Sequence, residues 1–494
     1  MVITKKWVSA IAAVAFALTT HSVMAGPVHG QDAMEISRLM YTGWNVGNSL
    51  DAIQQGYSDL DTELGWGNAK ITKSMIDNVR KTGFRTLRIP VSWGQHTYKS
   101  GQYQYKIDDK WLSRVKEVVD YGIDNDMYVI LNIHHENGSQ FDHPYFWPTN
   151  NTKDQSVRYV TDIWTQLAEC FKEYDQRLIF ETLNEPRIVG DLYEWWFTPV
   201  DNPSQQQVVE AMGVINAMNQ AAVDVIRNNG HENNRDRVIL IPGYDASPEG
   251  AVTNKFQLPN DPSQNRLGIE IHAYRPTELC LSGPLTMFQE SDKQAIRDVL
   301  RPCYEKYVQR NIPVVIDETS ISDKDQGDWT RMQWIEAFYG IAVEYKMPCV
   351  LWDNGTTWEA YQLGLKQGWA DPNQNGECHG FMNRSTGEWN QPQMIQKIME
   401  VVGEDPNLSD PSNVEKTLAL NDNMVLTLSP EEIGFVKCGT SVEVNMVTLF
   451  NAQGAMAITA YHVESLTVTS LPAGLYLVVV VSADGVYKEK IMIR

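Results

Sequence analysis

The sequence predicts an α/β protein: a (β/α)8 barrel of the TIM type followed by a small all-β, sandwich-like domain. Three observations carry that expectation. Between residues 41 and 354, short β-rich runs alternate with stretches whose apolar residues recur at helical spacing, as in βα units on a parallel sheet. Polar residues gather at the C-terminal ends of nearly every run, where a barrel builds its site, and this favours a barrel over a doubly wound sheet. After Glu404 the composition shifts toward short strands and hairpin turns.

Eight runs read as strands: 42–48, 84–90, 127–135, 177–185, 238–244, 268–274, 312–318 and 349–354. The segments between them carry apolar stripes. Met75, Ile76 and Val79 lead to the helix-stopping Gly83, and Trp111, Val115, Val118 and Val119 precede Gly122. Val160, Ile163, Trp164, Leu167 and Phe171 form the clearest stripe; Trp334, Ile335, Phe338, Ile341 and Tyr345 lead into the last run, and Ile395, Ile398 and Met399 follow it. The fifth unit is weak, because residues 245–265 are rich in Pro and Asn and show no full helix. The barrel domain therefore spans 34–403. Residues 404–414 carry Asp, Pro, Asn and Ser and read as a linker. Residues 415–494 read as the β-rich domain, with strands near 424–428, 442–449, 455–461, 474–481 and 486–493 and Asp484-Gly485 at the last hairpin.

Residues 1–25 read as a signal peptide: Lys5 and Lys6 precede an apolar run, and Val23-Met24-Ala25 supplies the small residues of a cleavage site. That run is shorter than the roughly 20 residues of a membrane span, and 475–481 has only strand length, so no transmembrane anchor is expected. A net charge of −21 argues against nucleic acid as a partner, since phosphate binding needs clustered Lys and Arg, and leaves a neutral polymer open. The six cysteines, Cys170, Cys280, Cys303, Cys349, Cys378 and Cys438, form no close pairs of the zinc or redox type.

The strand ends carry the chemistry. They read Leu87-Arg88-Ile89-Pro90, Asn132-Ile133-His134-His135-Glu136, Leu183-Asn184-Glu185-Pro186-Arg187, His272-Ala273-Tyr274, Ile316-Asp317-Glu318 and Leu351-Trp352-Asp353-Asn354. Each alone is a weak signal; six in order are specific. Strands 4 and 7 of an eight-stranded barrel face each other, so Glu185 and Glu318 can oppose across the mouth. Two opposed carboxyls suit glycosidic cleavage, with Glu185 as acid/base and Glu318 as nucleophile. Arg88 would hold Glu318 ionised, and Tyr274 could donate to the same carboxylate. Asn184 is placed for a sugar 2-hydroxyl, Trp352 offers a flat face to a pyranose, and His134, His135, His272 and Asn48 read as binding or supporting residues. Glu136, Glu181 and Glu270 read as hydrogen-bonded supports. His134-His135-Glu136 could suggest a metal, but adjacent strand residues point to opposite faces, so no metal or other cofactor is expected. Tyr145-Phe146-Trp147 and Trp195-Trp196 are open between packing and cleft roles.

At these residues the chain resembles glycoside hydrolase family 5, and its fourth subfamily most closely. The resemblance also rests on Gly65-Trp66-Gly67-Asn68, on 83–90, on Phe180-Glu181-Thr182 before Leu183, and on Gly355 after Asn354. It covers residues 34–402 and implies a retaining mechanism without metal, with β-1,4-glucans as substrate: cellulose, mixed-linkage glucan or xyloglucan, and xylan in some relatives. Endo action is part of the same expectation. In two places the chain departs from the family: Asp317 stands where the family usually carries Gly, and Thr319-Ser320 is unusual. Alternation would turn Asp317 away from the sugar, while its charge could raise the pKa of Glu318. The last domain resembles the sorting domain of the type IX secretion system, through Asn451-Ala452-Gln453-Gly454, 471–476 and the ending 488–494. This implies the secretion machinery as a partner and a secreted or cell-surface location. A carbohydrate-binding module is the competing reading, although no Trp follows Trp389. A catalytically inactive sugar-binding barrel and a metal-dependent barrel hydrolase are the alternatives from other classes.

Overall fold

The computed structural model describes residues 29–494 except 54–55, 138–144, 196–205, 326, 369–375, 407–415, 420–423, 429–431, 438–439, 442–443, 452–454, 469, 473, 483–484 and 494. The segment read as a signal peptide and most of that read as a linker lie outside the described residues. The described chain divides into two compact units, the first ending at Asp405 and the second beginning at Pro406.

The first unit is a closed barrel of eight parallel strands: β1 (Thr42–Asn45), β2 (Thr86–Ile89), β3 (Tyr128–Asn132), β4 (Leu178–Glu181), β5 (Ile239–Ile241), β6 (Leu267–His272), β7 (Val314–Thr319) and β8 (Cys349–Leu351). They are the eight runs the sequence marks, in the same order, and β8 pairs with β1 to close the sheet. Most are shorter than their runs, because the last residues leave the ladder and enter the mouth. Long helices follow several strands, among them Asp109–Asp124, Lys153–Cys170, Gln206–Asn228, Glu290–Lys306 and Asp328–Glu344. The weak fifth unit holds only a 3-10 turn, Tyr244–Ala246, and the five-residue helix Pro248–Val252. The helix lies so close to the chain leaving β5 that a Cβ on Gly243 would stand 2.6 Å from the backbone of Gly250.

Alternation divides the strand residues between two apolar layers. Leu87, Ile89, Val129, Leu131, Phe180, Ile269, Ile271, Val314 and Ile316 face outward into the main core beneath the helices. Tyr128, Ile130, Ile179, Leu240, Val315 and Val350 face inward and meet Ala33, Ile36, Leu39 and Met40. These last four belong to the helix Ala33–Met40, which the sequence reading does not mark; eight residues give too little periodicity to stand out. Asp32 starts it by accepting a hydrogen bond from the Glu35 amide at 2.8 Å. The helix thus plugs the end of the barrel where the strands begin.

The second unit is all-β and antiparallel. A four-stranded sheet runs Met456–Val463, Val444–Asn451, Gly474–Ser482, Gly485–Ile493. A five-stranded sheet contains Lys416–Ala419, Met424–Leu428, Glu432–Lys437, Thr440–Ser441 and Ser465–Thr467. Ile433, Phe435 and Leu466 from one sheet and Val444, Val447, Leu449, Val478 and Val480 from the other share one apolar core. No helix among the described residues is long and apolar enough to cross a membrane.

Ile36 is fully buried in the plug. Ile36→Ala should lower the unfolding free energy of the barrel by about 2–5 kcal/mol in urea titration; a change near zero would show that the helix does not contribute to the barrel core.

Candidate active site

Above the inward apolar cluster, the next inward positions are polar: Asn45, Arg88, Asn132, Glu181, Glu270 and Asp317, all buried. Barrel interiors are ordinarily filled by branched apolar side chains, and buried polar groups need partners. Arg88 supplies most of them. Its Nε and Nη2 donate to the two oxygens of Glu181 at 2.6 and 2.7 Å. Nη1 donates to Asn45 Oδ1 at 3.0 Å and to Glu318 Oε1 at 2.5 Å, and Nη2 also reaches Asn184 Oδ1 at 2.8 Å. Asn132 adds a donor to Glu181 at 2.7 Å. Burial disfavours the charge of Arg88, but Glu181, Glu318 and Asp317 outweigh it and drive the guanidinium well above its ordinary pKa.

Glu318 reaches this layer through a bulge. Ile271 pairs with Ile316 but His272 pairs with Glu318, and on the other side Cys349 pairs with Ile316 while Leu351 pairs with Thr319. One extra residue is therefore accommodated in β7. Val315 faces inward, so strict alternation would turn Asp317 in and Glu318 out; the bulge lets both face inward. Asp317 does not line the cleft. It is nevertheless not turned to the outer helices, but lies in the barrel interior, 3.8 Å from Arg88 Nε and 3.5 Å from His272 Nε2.

Glu185 sits in the loop beyond β4. Its Oε1 is 2.8 Å from His272 Nδ1, and its Oε2 is 3.3 Å from Arg187 Nη1. The same His272 nitrogen is 3.5 Å from Glu318 Oε2, which also accepts a hydrogen bond from the Tyr274 hydroxyl at 2.9 Å. A carboxylate oxygen of Glu185 and one of Glu318 lie within 4.8 Å of each other. Burial alone would raise Glu185, but the hydrogen bond and charge of His272 carry it down to about 2. Burial alone would lower His272; Glu318, Glu185 and Asp317 instead raise it to about 9. At neutral pH the His272–Glu185 pair therefore holds one transferable proton, resting on the imidazole.

These groups open into a cleft of about 950 Å³ lined by Asn48, His134, His135, Asn184, Glu185, His272, Tyr274, Glu318 and Trp352. Arg88 lies beneath its floor. The two histidines occupy the same cleft, contrary to the alternation argument, because β3 ends at Asn132 and alternation ends with it. Ligand atoms of Asp51, His134 and His135 come within 4.8 Å of one another, as do those of Glu185, His272 and Glu318 and of Glu270, His272 and Asp317. Among the described residues these are the sets whose spacing could admit a cation, and each lies within the acid–base network already described or beside it. Trp352 stands on Gly47, where a Cβ would come within 2.7 Å of its ring, and its plane is 5° from that of His134.

Of the supports read from sequence, Glu181 is held by Arg88 and Asn132, and Glu136 accepts from the Trp93 and Gly94 amides. Glu270 differs, since neither of its oxygens meets a hydrogen-bond donor. Tyr145, Phe146 and Trp147 pack on the core rather than lining the cleft. Trp195 does line it, with the Arg187 guanidinium 3.7 Å over its ring, and Trp196 lies outside the described residues. The sequence reading assigned no role to Trp66, Arg187, Asp245, Glu249, Arg275 or Glu377, which also line the cleft. Arg187 and Trp66 stand within motifs named above; Glu249 is on the five-residue helix Pro248–Val252 and Asp245 on a single 3-10 turn, both too short for a periodic signal, and Arg275 and Glu377 are on irregular segments.

Comparison with known proteins places these features. A family model described as Cellulase (glycosyl hydrolase family 5) matches residues 48–357. Endoglucanase 1 of Ruminococcus albus is 35% identical over 395 residues, covering 78% of this chain and 87% of the relative. Endoglucanase B of the same organism is 35% identical over 383 residues, covering 77% and 83%. Among solved structures, a GH5 family lichenase from Caldicellulosiruptor sp. F32 matches with a TM-score of 0.67 and 33% identity, over 78% of this chain and 100% of that one. A GH5-4 broad specificity endoglucanase from Ruminococcus champanellensis, with bound cellotriose, matches with a TM-score of 0.65 and 36% identity, over 76% and 100%.

Arg88→Met would leave Glu181 buried without its main partner. The variant should lose about 3–5 kcal/mol of unfolding free energy, measured by urea denaturation at neutral pH; an unchanged midpoint would show that the guanidinium does not hold this layer together.

Proposed function

The chain belongs to glycosyl hydrolase family 5, and from that starting point we propose a retaining endo-β-1,4-glucanase with Glu185 as acid/base and Glu318 as nucleophile. The observation that carries the reading is the spacing of the two carboxylates, whose nearest oxygens lie within 4.8 Å. Retaining enzymes place their carboxyl groups about 5–5.5 Å apart, whereas inverting enzymes leave about 6.5–9.5 Å for a water.

The environments assign the roles. Glu318 faces only donors at its oxygens, Arg88 and Tyr274, which suits an attacking carboxylate. Glu185 shares a proton with His272 and can take it from Nδ1 when a glycosidic oxygen comes within reach. Protonation of that oxygen accompanies attack of Glu318 on the anomeric carbon; the leaving alcohol departs and a glycosyl ester forms. Glu185, now a carboxylate, deprotonates a water that attacks the same carbon and frees Glu318. The retained proton returns to the Glu185–His272 pair. Asn184, oriented by Arg88, is placed for the 2-hydroxyl, and Trp352 supplies the apolar face for the ring.

The relatives named above are endoglucanases and a lichenase, which supports cellulose-type and mixed-linkage β-glucans as substrates, with xyloglucan or xylan as the alternative within the same mechanism. The assignments call for no metal. The second unit, with its two antiparallel sheets, fits a secretion-sorting role; with the leader at 1–25 it would direct type IX export to the medium or the cell surface. The sequence elements for that role are in part outside the described residues.

Glu185→Gln should cut kcat by roughly 10²–10⁴-fold on a glucan, and Glu318→Gln should abolish turnover while the fold is retained. Proton NMR of early products should show the β-anomer, and appearance of the α-anomer first would overturn the mechanism. Activity on carboxymethylcellulose and lichenan should exceed that on mannan and be indifferent to EDTA. Removal of 415–494 should leave hydrolysis of soluble glucan intact while abolishing export; a large loss of hydrolysis would instead favour a carbohydrate-binding role.

A further inference from the structure

We propose that Glu270 and Asp317 share one proton beneath the cleft floor and, through His272, act as positioning residues for the proton that Glu185 delivers. This rests on the acid/base reading of Glu185 given above. Both side chains are fully buried, and none of their four oxygens meets an N–H or hydroxyl donor. Glu270 makes carboxyl-to-carboxyl contacts with Asp317 and with Glu181; the Glu181 oxygens already accept from Arg88 and Asn132, which leaves Asp317 as the partner without other donors. Two ionised carboxylates cannot stay together in such a place: desolvation and mutual repulsion both oppose it. A single proton between them removes one charge and makes one hydrogen bond, as in other paired-carboxyl sites. The environment favours this, since burial and the charge of Glu181 push Asp317 up to about 7 and Glu270 well above the usual carboxylate range.

The pair keeps one negative charge, and Asp317 Oδ1 presents it to His272 Nε2 at 3.5 Å. Other elements also face this imidazole. From β2, Arg88 Nη2 is 3.4 Å from Nε2 and opposes protonation. From beyond β3, His134 stays neutral, since burial first and then the surrounding cations, His272 among them, hold it well below its ordinary pKa. From beyond β4, Glu185 is 2.8 Å from Nδ1, and from β7, Glu318 is 3.5 Å from it. Glu270 is on the same strand as His272. Once Glu318 carries the sugar its charge is gone, and Asp317 remains as the anion on the Nε2 side. Asp317 therefore holds the second proton of the ring on Nε2, which leaves Nδ1 as the atom that exchanges a proton with Glu185. In the first step the Nδ1 proton passes to Glu185 Oε1 and on to the glycosidic oxygen, and His272 is left neutral. In the second, a proton from water returns by the same atoms, so the balance closes.

The test compares two isosteric variants of the full chain by the pH profile of kcat/KM on lichenan. Asp317→Asn removes the charge that faces Nε2, so the alkaline limb should move down by about one pH unit, a tenfold change in the dissociation constant. Glu270→Gln leaves an amide donor for an ionised Asp317, so the alkaline limb should stay or move up. Shifts of both variants in the same direction, or an Asp317→Asn limb matching wild type, would overturn the proposal. A second readout needs no catalysis. The folded pair holds a proton that the unfolded chain has lost above the ordinary carboxylate range, so the pair's contribution to stability falls as pH rises from 5 to 8, and Glu270→Gln should remove that contribution from the pH dependence of Tm. An equal slope in wild type and Glu270→Gln would show that no proton is shared. Full activity of Glu185→Gln would remove the acid/base reading itself, whereas the expected change in Tm slope together with that result would leave the shared proton standing.

Discussion

A single buried guanidinium holds the upper barrel together. Arg88 is inaccessible to solvent and makes hydrogen bonds or close ion pairs with Glu181, Glu318, Asn45, Asn184 and Asp317. A charge in that position would be prohibitive in isolation, and so would three carboxylates without it. The planar fork of arginine meets both oxygens of Glu181 while its remaining N–H groups point toward Glu318 and Asn184, a geometry that the point charge of lysine does not reproduce. The same residue that makes a polar barrel interior tolerable also fixes the orientation of the groups above it. Stability and site geometry here depend on one set of hydrogen bonds.

The mouth of the barrel is built from residues that have escaped the ladder. His134, His135, Asn184, Glu185 and Tyr274 all lie just past the last paired residue of their strands, where the two-residue alternation no longer constrains direction. Glu318 is still within β7 and reaches the cleft only because a bulge shifts the register by one residue. Short strands and one bulge thus let neighbouring side chains converge, while the apolar layers below and the Ala33–Met40 helix keep the scaffold rigid.

Proton placement follows from the same crowding. His272 is surrounded by Glu185, Glu318, Asp317 and Arg88, and the acidic groups prevail, so the imidazole takes the proton that Glu185 gives up. This division is no obstacle to acid catalysis. A proton held 2.8 Å away on a neighbouring nitrogen is available as soon as a sugar oxygen or the loss of charge on Glu318 changes the balance.

The sequence by itself determined the eight strands, their order, most of the helices between them and the residues that end each strand, because binary patterning is written residue by residue. It also placed Glu185 just beyond the fourth strand and Glu318 at the end of the seventh, with Arg88 and Tyr274 at or just past the ends of the second and sixth. The tertiary structure decided what pattern cannot encode. The register shift that brings Glu318 inward, the turning of Asp317 toward His272, and the convergence of His134 and His135 depend on neighbouring strands and on where pairing stops. The aromatic run 145–147 went to the core rather than the cleft for the same reason. Local periodicity fixes which residues share a face of one element, but distances between elements are set by packing and pairing across the closed barrel, and those involve residues far apart in the chain.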